Sequence, residues 1–242
     1  MKLFTIGCSF TEGQELENHR IECYTHVLAE KLNLEYFNFG ASGASNDYIF
    51  RKVFELINTN ALHNDDIIII QWTHYSRKEL PVIHKNKEWY HYIPNSFHAY
   101  QDKSIVRQGK DLFVQNKYMN DELDTDMKEI EANNKKVLDD YIISFLQEEY
   151  QKNTTINYIN ALYTYLEYFG YNHLHFFGWD NCIINSVYDN GGKFINKSFG
   201  GYTNTTNNHH PSKEGHNIWA HLPFKNYWVY IYWIICFIIS SS

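Results

Sequence analysis

The chain has 242 residues, 44% of them hydrophobic and 20% charged, the balance of a soluble globular protein with one sizeable core. A formal net charge of -7 argues against a sequence-independent nucleic-acid binder, which needs a basic face. The four cysteines, Cys8, Cys23, Cys182 and Cys236, form no CxxC pair, so free thiols in a reducing compartment are expected rather than a disulfide framework.

The chain opens with a short apolar strand over residues 2 to 7, ended by Gly7. "ECYTHVLAEKLN" sets Cys23, Val27, Leu28 and Leu32 on one helical face, with Asn33 as a stop. "LEYFNFG" reads as a second strand, and "SNDYIFRKVFELINTN" as a capped helix presenting Ile49, Val53, Phe54 and Ile57. "DDIIIIQW" is a continuous apolar run of the kind found in a parallel strand buried on both faces. This alternation predicts an α/β fold: a three-layer open parallel sheet flanked by helices and joined by right-handed crossovers.

Residues 75 to 151 break the alternation. "DELDTDMKEIEANNKK" is charged, while "VLDDYIISFLQEEY" aligns Val137, Tyr141, Phe145 and Leu146. A helical insertion or lid after the third strand is expected there, within one domain covering residues 1 to 242. The core pattern resumes with the helix "INYINALYTYLEYFG" and the strand "HLHFFGW".

Residues 223 to 242 form an atypical hydrophobic tail. Its run from Tyr227 to Ile239 is too short for a spanning helix, which needs about 20 apolar residues. A buried strand or sheet-edge packing is the first reading, a weak membrane or partner contact the second, and a lost reading frame the third. No signal peptide is expected, because Ser9 would fall inside it, so the chain is expected in the cytoplasm or on a virion.

Ligands of open α/β sheets sit beyond the carboxyl ends of the strands. Three loops leave such ends: "GCSFTEG", "FGASGASND" and "WTHYSR". A serine directly after a strand has its hydroxyl lifted to the rim of the sheet, where backbone N–H groups can face an oxyanion. It still needs a base, and "NNHHPSKEGHNIWA" offers His210.

The blocks "GCSFTEG", "NFGASGASND" and "HHPSKEGH", in that order, resemble the SGNH/GDSL hydrolase superfamily, particularly small members from phages and their hosts. The resemblance implies an SGNH-hydrolase or flavodoxin-like sheet and a serine esterase acting on small acyl esters, O-acetyl groups on glycans among them. It implies Ser9 as nucleophile, His210 as general base, and the N–H groups of Ser9 and Gly43 as oxyanion donors. Where the family places an oxyanion-hole Asn, this chain has Thr73, with Asn46 as a substitute donor. Where the family places an acid before the histidine, it has Asn207 and Asn208, whose amide oxygens could orient the ring without stabilising its charge; a backbone carbonyl or a remote acid such as Asp180 or Asp189 could orient it instead.

Other readings stand beside these. Ser9 could cap the following helix, and Cys8, turned away by strand alternation, reads as a small core residue, with a cysteine-dependent acyltransferase as a remote third function. Arg77 would bind a substrate anion or form a surface ion pair. The histidines 173, 175, 209, 210 and 216 complete no known ligand pattern, so no metal is expected. Gly7, Gly40 and Gly43 form neither GxGxxG nor a P-loop, so no nucleotide cofactor is expected either. The alternative to the enzyme is a catalytically degenerate carbohydrate-binding or virion-associated module on the same fold.

Overall fold

The computed structural model describes residues 1–84, 87–93, 105–108, 148–179, 193–198 and 210–221. Strand β1 (Lys2–Gly7) leads through the short helices α1 (Ser9–Glu12) and α2 (His19–Glu22) to α3 (Tyr24–Leu32). Then come β2 (Glu35–Gly40), α4 (Asn46–Asn58) and β3 (Ile67–Trp72). A second group of strands follows: β4 (Lys78–His84), β5 (Lys87–Ile93) and β6 (Ile105–Gln108). The long helix α5 (Glu148–Tyr168) returns the chain to β7 (Asn172–Phe177), β8 (Phe194–Ser198) and α6 (Lys213–Trp219).

The main sheet has the order β2-β1-β3-β7-β8 and every pairing in it is parallel. Counted within this sheet the order is 2-1-3-4-5, the flavodoxin-like arrangement, whose topological switch point lies between β1 and β3. All six residues of β3 are buried, as a central strand covered on both faces requires. Helices α3 and α6 cover one face: Thr25 bonds Thr5 at 2.9 Å, while Tyr24 and Trp219 pack against Phe176. Helices α4 and α5 cover the other, with Phe50 stacked on Tyr158 and Tyr163 packed against His173 and His175.

The expected α/β architecture is therefore present, with local adjustments. The buried residues of α3 are Tyr24, Thr25, Leu28 and Ala29, whereas Val27 and Leu32 pack only at its edge. Asn33 does end it, in the left-handed region at φ 52°. Ser45 caps α4 by accepting from the Tyr48 N–H at 3.3 Å.

One expectation is corrected. The start of the segment read as a helical insertion is an antiparallel three-stranded sheet in the order β4-β5-β6. The residues "VIH" and "EWYHYI" are β-branched and aromatic, and such side chains suit a pleated surface better than a helix. Pro81, which has no N–H to donate, sits on the edge strand β4. The Arg51–Glu79 pair at 2.9 Å and the Lys78–Asp47 pair at 3.3 Å tie β4 to α4. Helix α5, Glu148–Tyr168, includes the eight residues ahead of Ile156, where the core pattern of the sequence resumes. Residues 109–147, with the charged run and most of "VLDDYIISFLQEEY", lie outside the described residues, as does the tail from 223 to 242. Among the described residues, no helix is long and apolar enough to cross a membrane.

Candidate active site

Ser9 follows β1 directly, at the switch point, as the first residue of α1. Its hydroxyl makes no cap bond; Cys8 holds the N-cap position. The Ser9 Oγ instead lies 3.1 Å from Nε2 of His210, although 201 positions separate the two in sequence. The Cys8 Sγ is 3.9 Å from the same hydroxyl, too long to compete.

His210 stands just ahead of α6, and that helix is fastened to the far side of the first loop. Ser212 caps it by accepting from the Gly215 N–H at 3.2 Å. His216 Nδ1 accepts from the Tyr24 N–H at 3.1 Å, and Lys213 pairs with Glu22 at 2.7 Å. Burial pushes His216 down to about 3, so it stays neutral and keeps that nitrogen an acceptor. The Phe10 ring meets the His210 ring edge-on at 5.5 Å and limits its rotation.

The other ring nitrogen, Nδ1, lies 3.1 Å from Oε1 of Glu15, an ion-pair approach rather than an aligned hydrogen bond. Both side chains are sheltered, at 15% and 22% exposure. Glu15 is not among the acids expected from the sequence, because it belongs to the serine's own loop. Gly13 and Glu15 both take positive φ, 82° and 72°, and so fold the chain back towards Ser9. The N–H groups of Gly13 and Gln14 both donate to the Ser9 carbonyl at 3.0 Å. In sequence the available signal was "SFTEGQELE", a glycine turn beside Ser9 with a carboxylate two residues beyond it. Asn207, Asn208, Asp180 and Asp189 lie outside the described residues.

The second loop contributes the turn Ala41–Ala44, closed by the Ala44 N–H on the Ala41 carbonyl at 3.0 Å. Gly43, at its third position, has φ 75°, which a type II turn requires there. Ser42 ties this loop to the first by donating to Gln14 Oε1 at 2.5 Å.

Thr73 follows β3, fully buried, and its hydroxyl has no hydrogen-bond partner among the described residues. Asn46 is corrected as a substitute oxyanion donor. Its Oδ1 accepts from the Thr73 N–H at 2.9 Å, and its Nδ2 donates to the Thr73 carbonyl at 3.1 Å and to Thr155 Oγ1 at 3.3 Å. Its amide is consumed in holding β3 to α4 and α5.

Arg77 donates at 3.5 Å to the Ala44 carbonyl and lies over the Trp179 ring, 5.5 Å from its centroid. Trp179 packs on Phe10 at 4.4 Å, so Arg77, Trp179, Phe10 and His210 form a continuous wall beside Ser9. Beneath the loop, Gln71 accepts from Thr11 Oγ1 at 2.5 Å and donates to Cys8 Sγ at 3.0 Å. That buried network fixes the residue before Ser9 and turns the Cys8 sulfur into the core.

His173 and His175 serve the core. Trp72 donates to His175 Nδ1 at 3.0 Å, and His175 Nε2 meets His173 Nδ1 at 2.9 Å. Burial holds His175 well below the ordinary imidazole range and His173 at about 4, so both are neutral near pH 7. Among the described residues, no group of three or more His, Cys, Asp or Glu could hold a metal ion.

Fold and site together define an α/β protein with a serine–histidine–carboxylate line across the switch point of a parallel sheet. No family model matches the chain, and no curated relative is found. A solved structure from Desulfitobacterium hafniense DCB-2, described as a candidate lipolytic protein of the G-D-S-L family, is 17% identical with a TM-score of 0.33. The match covers 90% of this chain and 94% of that one.

Proposed function

We propose that the protein is a serine esterase of the SGNH type, cleaving small acyl esters through an acyl-enzyme. The observation that carries this reading is the 3.1 Å approach of His210 Nε2 to Ser9 Oγ at the switch point of the sheet. Ser9 attacks the ester carbonyl while His210 takes its proton. The tetrahedral oxyanion is held by the N–H groups of Ser9 and Gly43, with the Thr73 hydroxyl as the third donor. The positive φ of Gly43 and the Thr73 hydroxyl, without a hydrogen-bond partner among the described residues, support those roles. As the intermediate collapses, His210 returns the proton to the leaving alcohol. Water then repeats the sequence on the acyl-enzyme and releases the acid.

The aromatic wall of Phe10 and Trp179, with Arg77 behind it, suits an alcohol that presents a flat face, as a sugar ring does. An O-acetylated glycan is the substrate class we assign. The test is labelling by a fluorophosphonate probe together with turnover of p-nitrophenyl acetate, compared with Ser9→Ala and His210→Gln. Labelling of Ser9 and its loss in both variants supports the esterase. Folded wild-type protein that leaves Ser9 unlabelled and turns over no ester sinks it. Glycan binding that survives Ser9→Ala without turnover would mark a binding module instead.

A further inference from the structure

We infer that Glu15 is the positioning carboxylate of this site, so that the acid of the relay comes from the nucleophile's own loop and not from the histidine segment. The inference rests on Ser9 as nucleophile and His210 as base. A neutral imidazole that accepts at Nε2 must carry its proton on Nδ1, and Glu15 Oε1 lies 3.1 Å from that nitrogen. A carboxylate there selects the tautomer, orients the ring and stabilises the imidazolium formed as Ser9 attacks. The approach is not yet an aligned hydrogen bond, and catalytic bonds of this kind tighten when substrate is bound.

Two independent observations support the assignment. Glu15 has φ 72°, a conformation that costs a non-glycine residue about 1–2 kcal/mol and is kept where the surroundings over-determine it. A glycine would hold the same turn at no steric cost, so the turn alone does not account for a glutamate. The loop is also held from three sides. Gly13 and Gln14 donate to the Ser9 carbonyl, Leu16 N–H donates to the Gly13 carbonyl at 3.2 Å, and Ser42 donates to Gln14. A Cβ on Gly13 would lie 2.9 Å from both the Cys23 Cβ and the Leu16 Cδ1, so the reversal that aims Glu15 depends on that glycine.

Among the described residues, charged and titratable groups near His210 come from several elements. Glu15 comes from the α1–α2 loop, His216 from α6, and Arg77 from the β3–β4 loop across Trp179. The Lys213–Glu22 pair spans α6 and α2. Burial keeps His216 neutral, and Lys213 and Glu22 neutralise each other. Among the described residues, Glu15 is the carboxylate within ion-pair reach of His210 Nδ1, at 3.1 Å, and so the one assigned to its proton.

The experiment compares wild type with Glu15→Gln, Glu15→Asp and Glu15→Gly. Glu15→Gln is expected to lower kcat by about 10²–10⁴-fold with little change in KM, and Glu15→Asp to restore part of it. The carboxylate favours imidazolium, so its removal should move the acidic limb of the pH–rate profile to lower pH. The NMR titration of the His210 ring should move the same way, and it reads the contact without any turnover. Glu15→Gly should equal or exceed wild type in urea resistance, because the backbone strain is gone, while losing the same activity. A Glu15→Gln enzyme with unchanged kcat and an unmoved His210 titration overturns the inference while the esterase stands. A wild type without ester turnover removes the esterase, and the ring titration still decides whether Glu15 controls His210.

Discussion

Asn46 grips Thr73 at both ends of one residue's backbone, accepting from its N–H at 2.9 Å and donating to its carbonyl at 3.1 Å. The clamp joins the first turn of α4 to the chain leaving β3, where the sheet ends and the site begins. It fixes the place of the Thr73 hydroxyl, with both amide hydrogens of Asn46 engaged.

Asn46→Ala would leave the buried N–H and carbonyl of Thr73 unsatisfied, at a cost of about 3 kcal/mol. A urea midpoint shift of that size with an unchanged m-value is expected. A loss under about 0.5 kcal/mol would mean that the clamp is dispensable.

Gly40 and Gly170 make a matched pair. A Cβ on Gly40 would run into the backbone of Thr11 and Glu12, which cannot yield without moving α1 and Ser9. Around Gly170 there is open space, and only its φ of 73° opposes a side chain. Gly170→Ala should cost about 1 kcal/mol and leave probe labelling intact. Gly40→Ala should cost more, about 2–3 kcal/mol, and slow the labelling of Ser9. Equal effects on labelling would contradict the contact between β2 and α1.

Acid should destabilise the fold through three buried histidines. His216 is held near 3, His173 near 4 and His175 well below its ordinary value, in each case chiefly by burial. Unfolded, each binds a proton below about 6.5, so between that pH and the lowered value the unfolded chain carries more protons and stability falls with pH. Each contributes a slope of at most about 1.4 kcal/mol per pH unit. Urea midpoints at pH 7.5, 6.0 and 5.0 should decline steadily, and a flat profile would show that these rings are solvated.

Cys8 and Cys23 are buried, and burial pushes the Cys23 thiol upward. Neither should react with iodoacetamide in native protein, while both should in urea, as peptide mass spectrometry would read. Cys8→Ala should keep ester turnover, and its loss together with native alkylation of Cys8 would reopen the cysteine mechanism.

The parallel sheet was legible in the chain because its signals are local. "IIIIQW" can be buried on both faces only as a central strand, and Ser45 and Asn33 mark their helix ends by side-chain chemistry. The serine and histidine were legible for the same reason, each carried by a short block around it. The antiparallel sheet was not, since "EWYHYI" has no clean alternation and acquires meaning only when β4 and β6 lie beside it.

By itself the sequence determined the layers of the fold and marked Ser9 and His210 as candidates, because hydrophobic period and turn chemistry act over a few residues. Tertiary structure alone decided which carboxylate stands by the imidazole and that Asn46 is a clamp. Both outcomes depend on distances between loops far apart in the chain, set by how β1, β3 and α6 pack.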